Sequence, residues 1–248
     1  MQSTTKFPSS QLHCSLLAID TAFDICSVAL VTPELSDIRR SEQSRKHADD
    51  VLPMIDRMLC SHNMEIGALD VLAMVSGPGS FTGLRIGTAV VQGLAFGASL
   101  PVVCVSSLAL MARSARHTNG YDGLVLTCLH AREDEFYFAA YHDNLDDAPQ
   151  ALVVDTILTA SQIRQSVNDL LPGADNRADT KATLAGTGWQ HALLTDLATL
   201  PEFHLVTAAT DALLLAELAA QEFKAGRAVD ASEATPAYLK DDMEYRMV

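Results

Sequence analysis

The feature that most constrains the fold is a glycine-rich segment between a buried strand and a long helix. Residues 71–75 form a short apolar run of the length of a buried strand. They lead into segment 76–83, Ser-Gly-Pro-Gly-Ser-Phe-Thr-Gly, and residues 82–96 then show the pattern of a helix that is apolar or small on nearly every side. We therefore predict a mixed α/β fold in which this helix is buried on more than one side.

Two interpretations of this segment are open. Backbone N–H groups between a strand and a helix can hold an anion, which makes Gly77, Gly79 and Ser80 candidate anion-binding or nucleotide-adjacent residues. The segment lacks a following Gly-Lys-Ser/Thr, and its glycines do not have the G-x-G-x-x-G spacing of dinucleotide sites. The alternative is a tight turn in which glycine permits two backbones to approach closely.

Glycines also recur inside the predicted helix at four-residue spacing. Gly83 and Gly87 form one such pair, and Gly93 and Gly97 form another. Each glycine costs about 1 kcal/mol relative to alanine in a helix, so a compensating close contact is expected. That contact is either with the core of this chain or with a helix of another subunit, and the sequence favours neither.

Apolar periodicity divides the rest of the chain into two similar units. The predicted strands of the first unit, besides 71–75, are 16–19, 25–31, 35–40 and 101–105, and its further helices are 48–59 and 108–115, the second capped by Ser106 or Ser107. After a turn-rich break at 119–123, strands 124–129 and 136–141 repeat the layout of 16–31. This repetition predicts a second, duplicated unit.

Later segments complete the predicted architecture. They are a helix over 161–171, a polar loop over 172–182, a strand end that meets a helix start over 184–189, and a helix over 211–225 with Thr210 as N-cap and Gly226 as C-cap. The remainder is mostly polar, with Tyr238-Leu239 as its apolar anchor.

Length and charge limit what the chain can do. With 248 residues it can form one or two domains with a real core. It carries 17 Lys and Arg against 31 Asp and Glu, a formal net charge of -14. Because this charge repels phosphate backbones, we expect no tight binding of nucleic acid by the chain alone.

We expect neither a membrane segment nor a disulfide framework. The apolar stretch 16–31 is interrupted by Asp20 and Asp24, and the start of the chain lacks the basic and apolar regions of an export signal. The five cysteines form no CxxC pair, which is typical of reduced thiols in a cytosolic protein. The sequence therefore predicts a cytoplasmic protein.

Few residues are candidates for metal binding or catalysis. Asp20, at the tip of the first predicted strand, could hold a metal ion or a water beside a phosphate, or could be a turn carboxylate that accepts local N–H groups. His47 is interpreted as a surface or capping histidine, since no two of the eight histidines form HxxH or HxxxH. There is no G-x-S-x-G elbow, so no metal site and no hydrolase nucleophile are predicted.

Three runs carry a resemblance to a known family. Segments 18–22, 26–30 and 76–87, the last reading Ser-Gly-Pro-Gly-Ser-Phe-Thr-Gly-Leu-Arg-Ile-Gly, strongly resemble the TsaB family of bacterial tRNA threonylcarbamoyladenosine biosynthesis proteins, also known as glycoprotease-like proteins. The similarity runs from about residue 16 to residue 240. The corroborating positions are His47, 52–53, 105–106, 131–132, 135–137, 186–189 and 238–239.

The resemblance implies an actin-like/Hsp70-type ATPase fold of two duplicated subdomains, each with a mixed β-sheet flanked by helices. The first would cover 14–116 and be completed by the helix 210–226, the second would cover 117–209, and 227–248 would be a C-terminal tail. This agrees with the duplication expected from the strand pattern.

The resemblance also implies a role without independent catalysis. Such a chain would be the scaffold partner of a TsaD-like catalytic subunit, joined by a TsaE-like ATPase, which together place a threonylcarbamoyl group on N6 of adenosine 37 of tRNA. No cofactor would be bound tightly, ATP or ADP would bind only in the complex, and tRNA would be reached only through it. The chain alone would form a homodimer. The implied partner interface is Thr82, Leu84, Arg85, Gly87, Val90, Val91 and Leu94.

The chain departs from related sequences at three places. TsaD-like proteins carry a His-Met-Glu-Gly-His-type metal pair where this chain has Ser107 and Met111, which are poor ligands for a hard or borderline ion. His130 replaces the usual aspartate before Ala-Arg132, and Lys240 stands where arginine is common. His130 and Arg132 remain candidate nucleotide-adjacent residues. The alternative function is a free-standing enzyme of the same fold, either a small-molecule kinase or a metallopeptidase.

Overall fold

A computed structural model describes residues 14–41, 43, 46–120, 123–144, 147–171 and 182–239, so that Lys240 lies outside the described residues. The described chain divides into two compact units. The first unit consists of the described residues up to Leu110 together with Thr210–Ala237. The second unit contains the described part of Met111–Ala209. The sequence analysis placed this division at residues 116–117.

The first unit is built on a five-stranded mixed sheet. Its elements are β1 (Leu16–Asp20), β2 (Ser27–Val31), β3 (Ser36–Arg40), α1 (His47–Ser61), β4 (Val71–Gly77), α2 (Phe81–Ala98), β5 (Val102–Ser106), the start of α3 (Ser107–Asn119) and, from the end of the chain, α6 (Ala212–Lys224). The strand order is β3-β2-β1-β4-β5. β1 pairs antiparallel with β2 and parallel with β4, so it is the central strand.

The second unit repeats this topology. Its elements after α3 are β6 (Gly123–Arg132), β7 (Glu135–Asp143), β8 (Gln150–Thr159), α4 (Ala160–Leu170), β9 (Ala182–Ala185), α5 (Thr195–Ala198) and β10 (Phe203–Val206). The strand order β8-β7-β6-β9-β10 matches that of the first sheet, and β6 again pairs antiparallel with β7 and parallel with β9. The predicted duplicated actin-like α/β fold is therefore confirmed.

The first sheet is covered on both faces, which explains why its inner strands β1, β2 and β4 are mostly apolar, whereas its edge strand β3 is polar. Leu16 and Ala18 of β1 pack on the side of α6, whereas Leu17 and Ile19 pack on the side of α1. All five residues of β1 are buried. Among the described residues, no helix has the length and apolar character that crossing a bilayer would require.

Three details differ from the sequence expectations. Two strands, β8 and β10, lie where none was expected, because both are sheet edges in which Val206 alone is buried. The N-cap of α6 is Asp211 and not Thr210, since the Asp211 carboxylate accepts the N–H groups of Leu213 and Leu214.

The segment after α6 also returns to the first sheet. Val229 exchanges two backbone hydrogen bonds with Val102, Ala234 is fully buried, and the Ala237 N–H donates to the Ser76 carbonyl. This part of the chain, which the sequence analysis assigned to a polar tail, thus completes the core of the first unit.

Candidate functional site

The glycine-rich turn between β4 and α2 packs directly on the turn that follows β1. A Cβ at Gly79 would lie 2.7 Å from the Ala22 carbonyl oxygen. At Gly83 a Cβ would overlap the Thr21 carbonyl oxygen, and at Gly87 it would overlap the Thr21 hydroxyl. These glycines are therefore required because a side chain would collide with the turn after β1, with its backbone at Gly79 and Gly83 and with the Thr21 hydroxyl at Gly87.

Hydrogen bonds fix this contact. The Ser80 N–H donates to the Ala22 carbonyl (2.8 Å), and the Thr21 hydroxyl donates to the Gly83 carbonyl (2.8 Å). Ser80 caps α2 by accepting the Gly83 N–H on its Oγ (3.2 Å). Two N–H groups that could hold an anion are thus already used inside the chain. The close-packed turn accounts for the glycines, and anion binding by Gly77, Gly79 or Ser80 stays a prediction.

Asp20 lies at the end of β1 beside this turn and is almost completely buried. Its Oδ1 accepts the Ala22 N–H (2.9 Å), as expected of a turn carboxylate. Burial raises the pKa of Asp20, the Ala22 hydrogen bond lowers it and the Asp211 carboxylate raises it, so that the pKa is about 6. A carboxyl group in this position carries a charge at neutral pH that the folded chain solvates poorly.

Asp20 gives a testable pH dependence. Its pKa rises from 3.8 to about 6 on folding, so between these values the folded state binds more protons and the free energy of unfolding falls as pH increases. Asp20→Asn removes this charge and retains an acceptor for the Ala22 N–H. We expect the variant to lose the slope between about pH 4 and 6 and to gain up to about 3 kcal/mol at pH 7. Urea unfolding of both proteins at several pH values measures this pH dependence, and equal slopes in the two proteins would contradict the prediction.

His47 also contacts the turn between β1 and β2. Its Nε2 donates to the Phe23 carbonyl (2.6 Å), and its ring is largely buried at the start of α1. The buried Nδ1 has no hydrogen-bond partner among the described residues. His47 is therefore a buried structural tether of the β1–β2 turn, and not the surface or capping histidine expected from the sequence, since the N-cap of α1 is Lys46 and no side chain caps that helix.

His130 and Arg132 lie at the end of β6 in the second unit. The His130 Nε2 donates to the Glu133 carbonyl (3.0 Å), and its ring stacks on His191 with centroids 4.7 Å apart. Both imidazoles also contact the edge or face of Phe136. Sequence reasoning missed His191 because nothing local links it to position 130, and only the fold brings the two rings together.

Arg132 is already paired within the chain. Its exposed guanidinium donates to the Glu135 carboxylate (3.0 Å), and this hydrogen bond raises the pKa of the arginine. The side chain would have to leave Glu135 to bind an anion. A nucleotide-adjacent role for His130 and Arg132 stays a prediction.

The predicted interface residues of α2 do not share one face. Leu84, Gly87 and Val91 are buried within the first unit, with Leu84 and Val91 among the side chains of its core, so they present no exposed surface to a partner. Thr82 and Arg85 are exposed.

Val90 and Leu94 are only partly buried, against the core. Because Gly87 and Val91 point inward, Gly87→Leu and Val91→Glu would damage the fold itself and cannot report on a partner surface.

The outward face of α2 consists of different residues. Ala89, Gly93 and Gly97 are exposed, and a Cβ at either glycine would meet open space. Phe96 is 83% exposed at the end of this stripe, and at its start the Arg85 guanidinium lies 3.4 Å above the Phe81 ring. The two glycine pairs of α2 therefore have different surroundings. Gly83 and Gly87 are closely packed inside the chain, whereas Gly93 and Gly97 form a flat exposed surface.

Within the described residues, no three His, Cys, Asp or Glu side chains are placed to hold a metal ion. The positions that correspond to the metal pair of TsaD-like proteins are engaged elsewhere. Ser107 is buried and its hydroxyl donates to the Pro78 carbonyl, and the Met111 side chain is buried too.

Two duplicated α/β units of equal strand order define the class as proteins with a duplicated actin-like fold. The family model "TsaD: tRNA N6-adenosine threonylcarbamoyltransferase" matches residues 38–242. The chain is 33% identical over 236 residues to "tRNA threonylcarbamoyladenosine biosynthesis protein TsaB" of Escherichia coli strain K12, covering 93% of this chain and 96% of that protein. A protein of the same name from Haemophilus influenzae is 32% identical, with 94% and 97% covered.

A solved structure agrees. YeaZ from Pseudomonas aeruginosa superposes with a TM-score of 0.76 at 31% identity, over 91% of this chain and 99% of that one. The chain belongs to the TsaB family.

Proposed function

We propose that the protein acts in tRNA threonylcarbamoyladenosine synthesis as the non-catalytic partner of a TsaD-like catalytic subunit, with a TsaE-like ATPase joining the pair in the cytoplasm. The names of its relatives support the pathway, and the family model supports common ancestry with the transferase subunit. In this role the chain supplies a surface, ATP or ADP binds only in the assembled complex, and tRNA is reached only through it.

The observation that carries the partner role is the outward face of α2. Ala89, Gly93 and Gly97 leave it flat, so a second helix can approach its backbone closely, and Phe96 offers a large apolar anchor. Aromatic side chains are enriched at the centres of protein–protein interfaces. Thr82, Arg85, Val90 and Leu94 flank this stripe and would form its rim, and the same face would pair two copies when the partner is absent.

The chain's own residues support a role without catalysis. Ser107 and Met111 take part in internal packing where the transferase-type sequence has histidines, and His130 is stacked on His191. Each of these side chains already has a structural task. ATP turnover or chelator-sensitive peptidase activity by the purified chain alone would contradict this part of the proposal.

A substitution at Gly93 tests the surface. Gly93→Leu places a bulky side chain in open space, so folding is retained while a partner helix is held away. We expect association with the organism's own TsaD-like subunit to weaken at least about tenfold, measured by size-exclusion chromatography and calorimetry.

Gly93→Ala is the matched control and should still associate, because a methyl group fits between close helices. Circular dichroism checks folding of both variants. A folded Gly93→Leu variant that co-elutes with the partner as well as the unsubstituted chain does would show that the interface lies on another surface.

A further inference from the structure

A positively charged cleft lies between α1 and the end of β3, away from the glycine-rich turn. Its volume is about 490 Å³. Four of its lining residues are cationic and one is anionic, namely Arg39, Arg40, Lys46 and Arg57 against Asp50. The chain as a whole has 17 basic and 31 acidic residues, so this local excess of positive charge opposes the overall balance.

Internal partners occupy some of these charges but not all. Arg39 donates to the Ser61 hydroxyl (2.6 Å), and Arg40 pairs with Asp211. The Asp50 carboxylate accepts a hydrogen bond from Ser41.

The side chains of Lys46 and Arg57, in contrast, are exposed and form no hydrogen bond or ion pair with any described residue. The cleft therefore contains two cationic side chains, Lys46 and Arg57, without a partner among the described residues. Two further cations, Arg39 and Arg40, are fixed in position by internal contacts.

The geometry favours an extended polyanion. Lys46, Asp50, Met54 and Arg57 follow one another at four, four and three residues, so they lie on one face of α1. Lys46 and Arg57 are eleven positions apart, which corresponds to about 16 Å along the helix axis. A row of this length suits successive phosphates of a nucleic-acid strand better than a single phosphate group.

The lining also indicates how such a strand would be bound. None of the described lining residues is aromatic, and the only large apolar one is the buried Met54. Base stacking therefore has no platform here, and binding would be through the sugar-phosphate backbone.

We propose that the cleft between α1 and β3 binds the phosphate backbone of an RNA strand, with Lys46 and Arg57 as the phosphate ligands. The choice of RNA rests on the proposed function. A net charge of -14 opposes this contact, so it adds to binding by a complex and is weak in the chain alone at physiological salt.

The test is fluorescence anisotropy of the full chain with a labelled single-stranded oligoribonucleotide, titrated at several salt concentrations starting from low salt. The double variant Lys46→Gln/Arg57→Gln should bind about tenfold or more weakly at low salt. The slope of log K against log salt should become shallower by about 1.4, since each contact to a single strand contributes about 0.7.

The matched control is Arg164→Gln/Arg227→Gln, which changes the net charge equally. Both of these arginines are exposed and paired, with Asp196 and Glu222 respectively, outside the cleft. The control should bind RNA as the unsubstituted chain does. Equal weakening by both double variants would show a general charge effect and overturn the proposal.

Two further arms separate the remaining outcomes. Inorganic tripolyphosphate should compete only weakly, and saturable binding of tripolyphosphate without any binding of RNA at low salt would overturn the RNA assignment. Lys46→Gln/Arg57→Gln should still co-elute with the TsaD-like subunit. Failure of the unsubstituted chain to co-elute would count against the proposed function, whereas its RNA affinity reports on the cleft alone.

Discussion

Gly83→Ala is expected to destabilise the protein by about 3 kcal/mol or more, or to prevent folding. The added methyl group would overlap the Thr21 carbonyl oxygen, which is backbone and has no rotamer to move into. Two hydrogen bonds, from the Thr21 hydroxyl to the Gly83 carbonyl and from the Ser80 N–H to Ala22, hold the turn against α2 and prevent separation. Urea unfolding followed by circular dichroism measures the loss.

The same helix provides the control. Gly93→Ala and Gly97→Ala introduce the same methyl group into open space. Because alanine is a better helix former, each should be neutral or stabilise the protein by up to about 1 kcal/mol. A Gly83→Ala variant within about 0.5 kcal/mol of the unsubstituted protein would show that the β1 turn is not packed on α2 in solution.

Asp143→Ala is expected to cost about 3 to 5 kcal/mol through a buried ion pair in the second unit. The Arg113 Nε donates to both carboxylate oxygens of Asp143, at 3.1 and 2.9 Å, and both side chains are fully buried. Removing the carboxylate takes away the counter-charge that Asp143 supplies to a fully buried guanidinium. Chemical unfolding of the full chain, monitored in the second unit by Trp189 fluorescence, measures the cost.

Two comparisons isolate the cause. Arg113→Met/Asp143→Leu removes both charges and should lose less stability than Asp143→Ala alone. Asp196→Ala breaks the exposed pair with Arg164 and should change the free energy of unfolding by less than about 1 kcal/mol. Equal changes in the free energy of unfolding for Asp143→Ala and Asp196→Ala would contradict the prediction. Water would then have to solvate the Arg113 charge in place of the ion pair.

These expectations divide α2 into two functional halves. Its first turns, with Gly83 and Gly87, are fixed by the chain's own core, and its later turns, with Gly93 and Gly97, present a surface. A stability defect from the first half and an association defect from the second would be separable in the same assay. The glycine spacing is identical in both halves, so only their surroundings distinguish them.

The sequence by itself determined the class of fold. Strands buried on both faces have continuous apolar runs, and the repeated strand–turn–strand of β1–β2 and β6–β7 predicted the duplication that the two equal sheet orders confirm. It also placed the glycine turn between β4 and α2, because a strand, a turn and a helix leave local signals in neighbouring residues.

Only the tertiary structure decided what faces what. Periodicity places Gly87 and Gly93 on a helix but does not say that Thr21 covers the first and nothing covers the second, since that depends on residues far away in the chain. The edge strands β8 and β10, the Arg113–Asp143 pair and the stacked His130 and His191 have the same origin. The charged cleft was also missed, because net charge sums over the whole chain whereas a ligand responds to the few charges that the fold brings within a screening length.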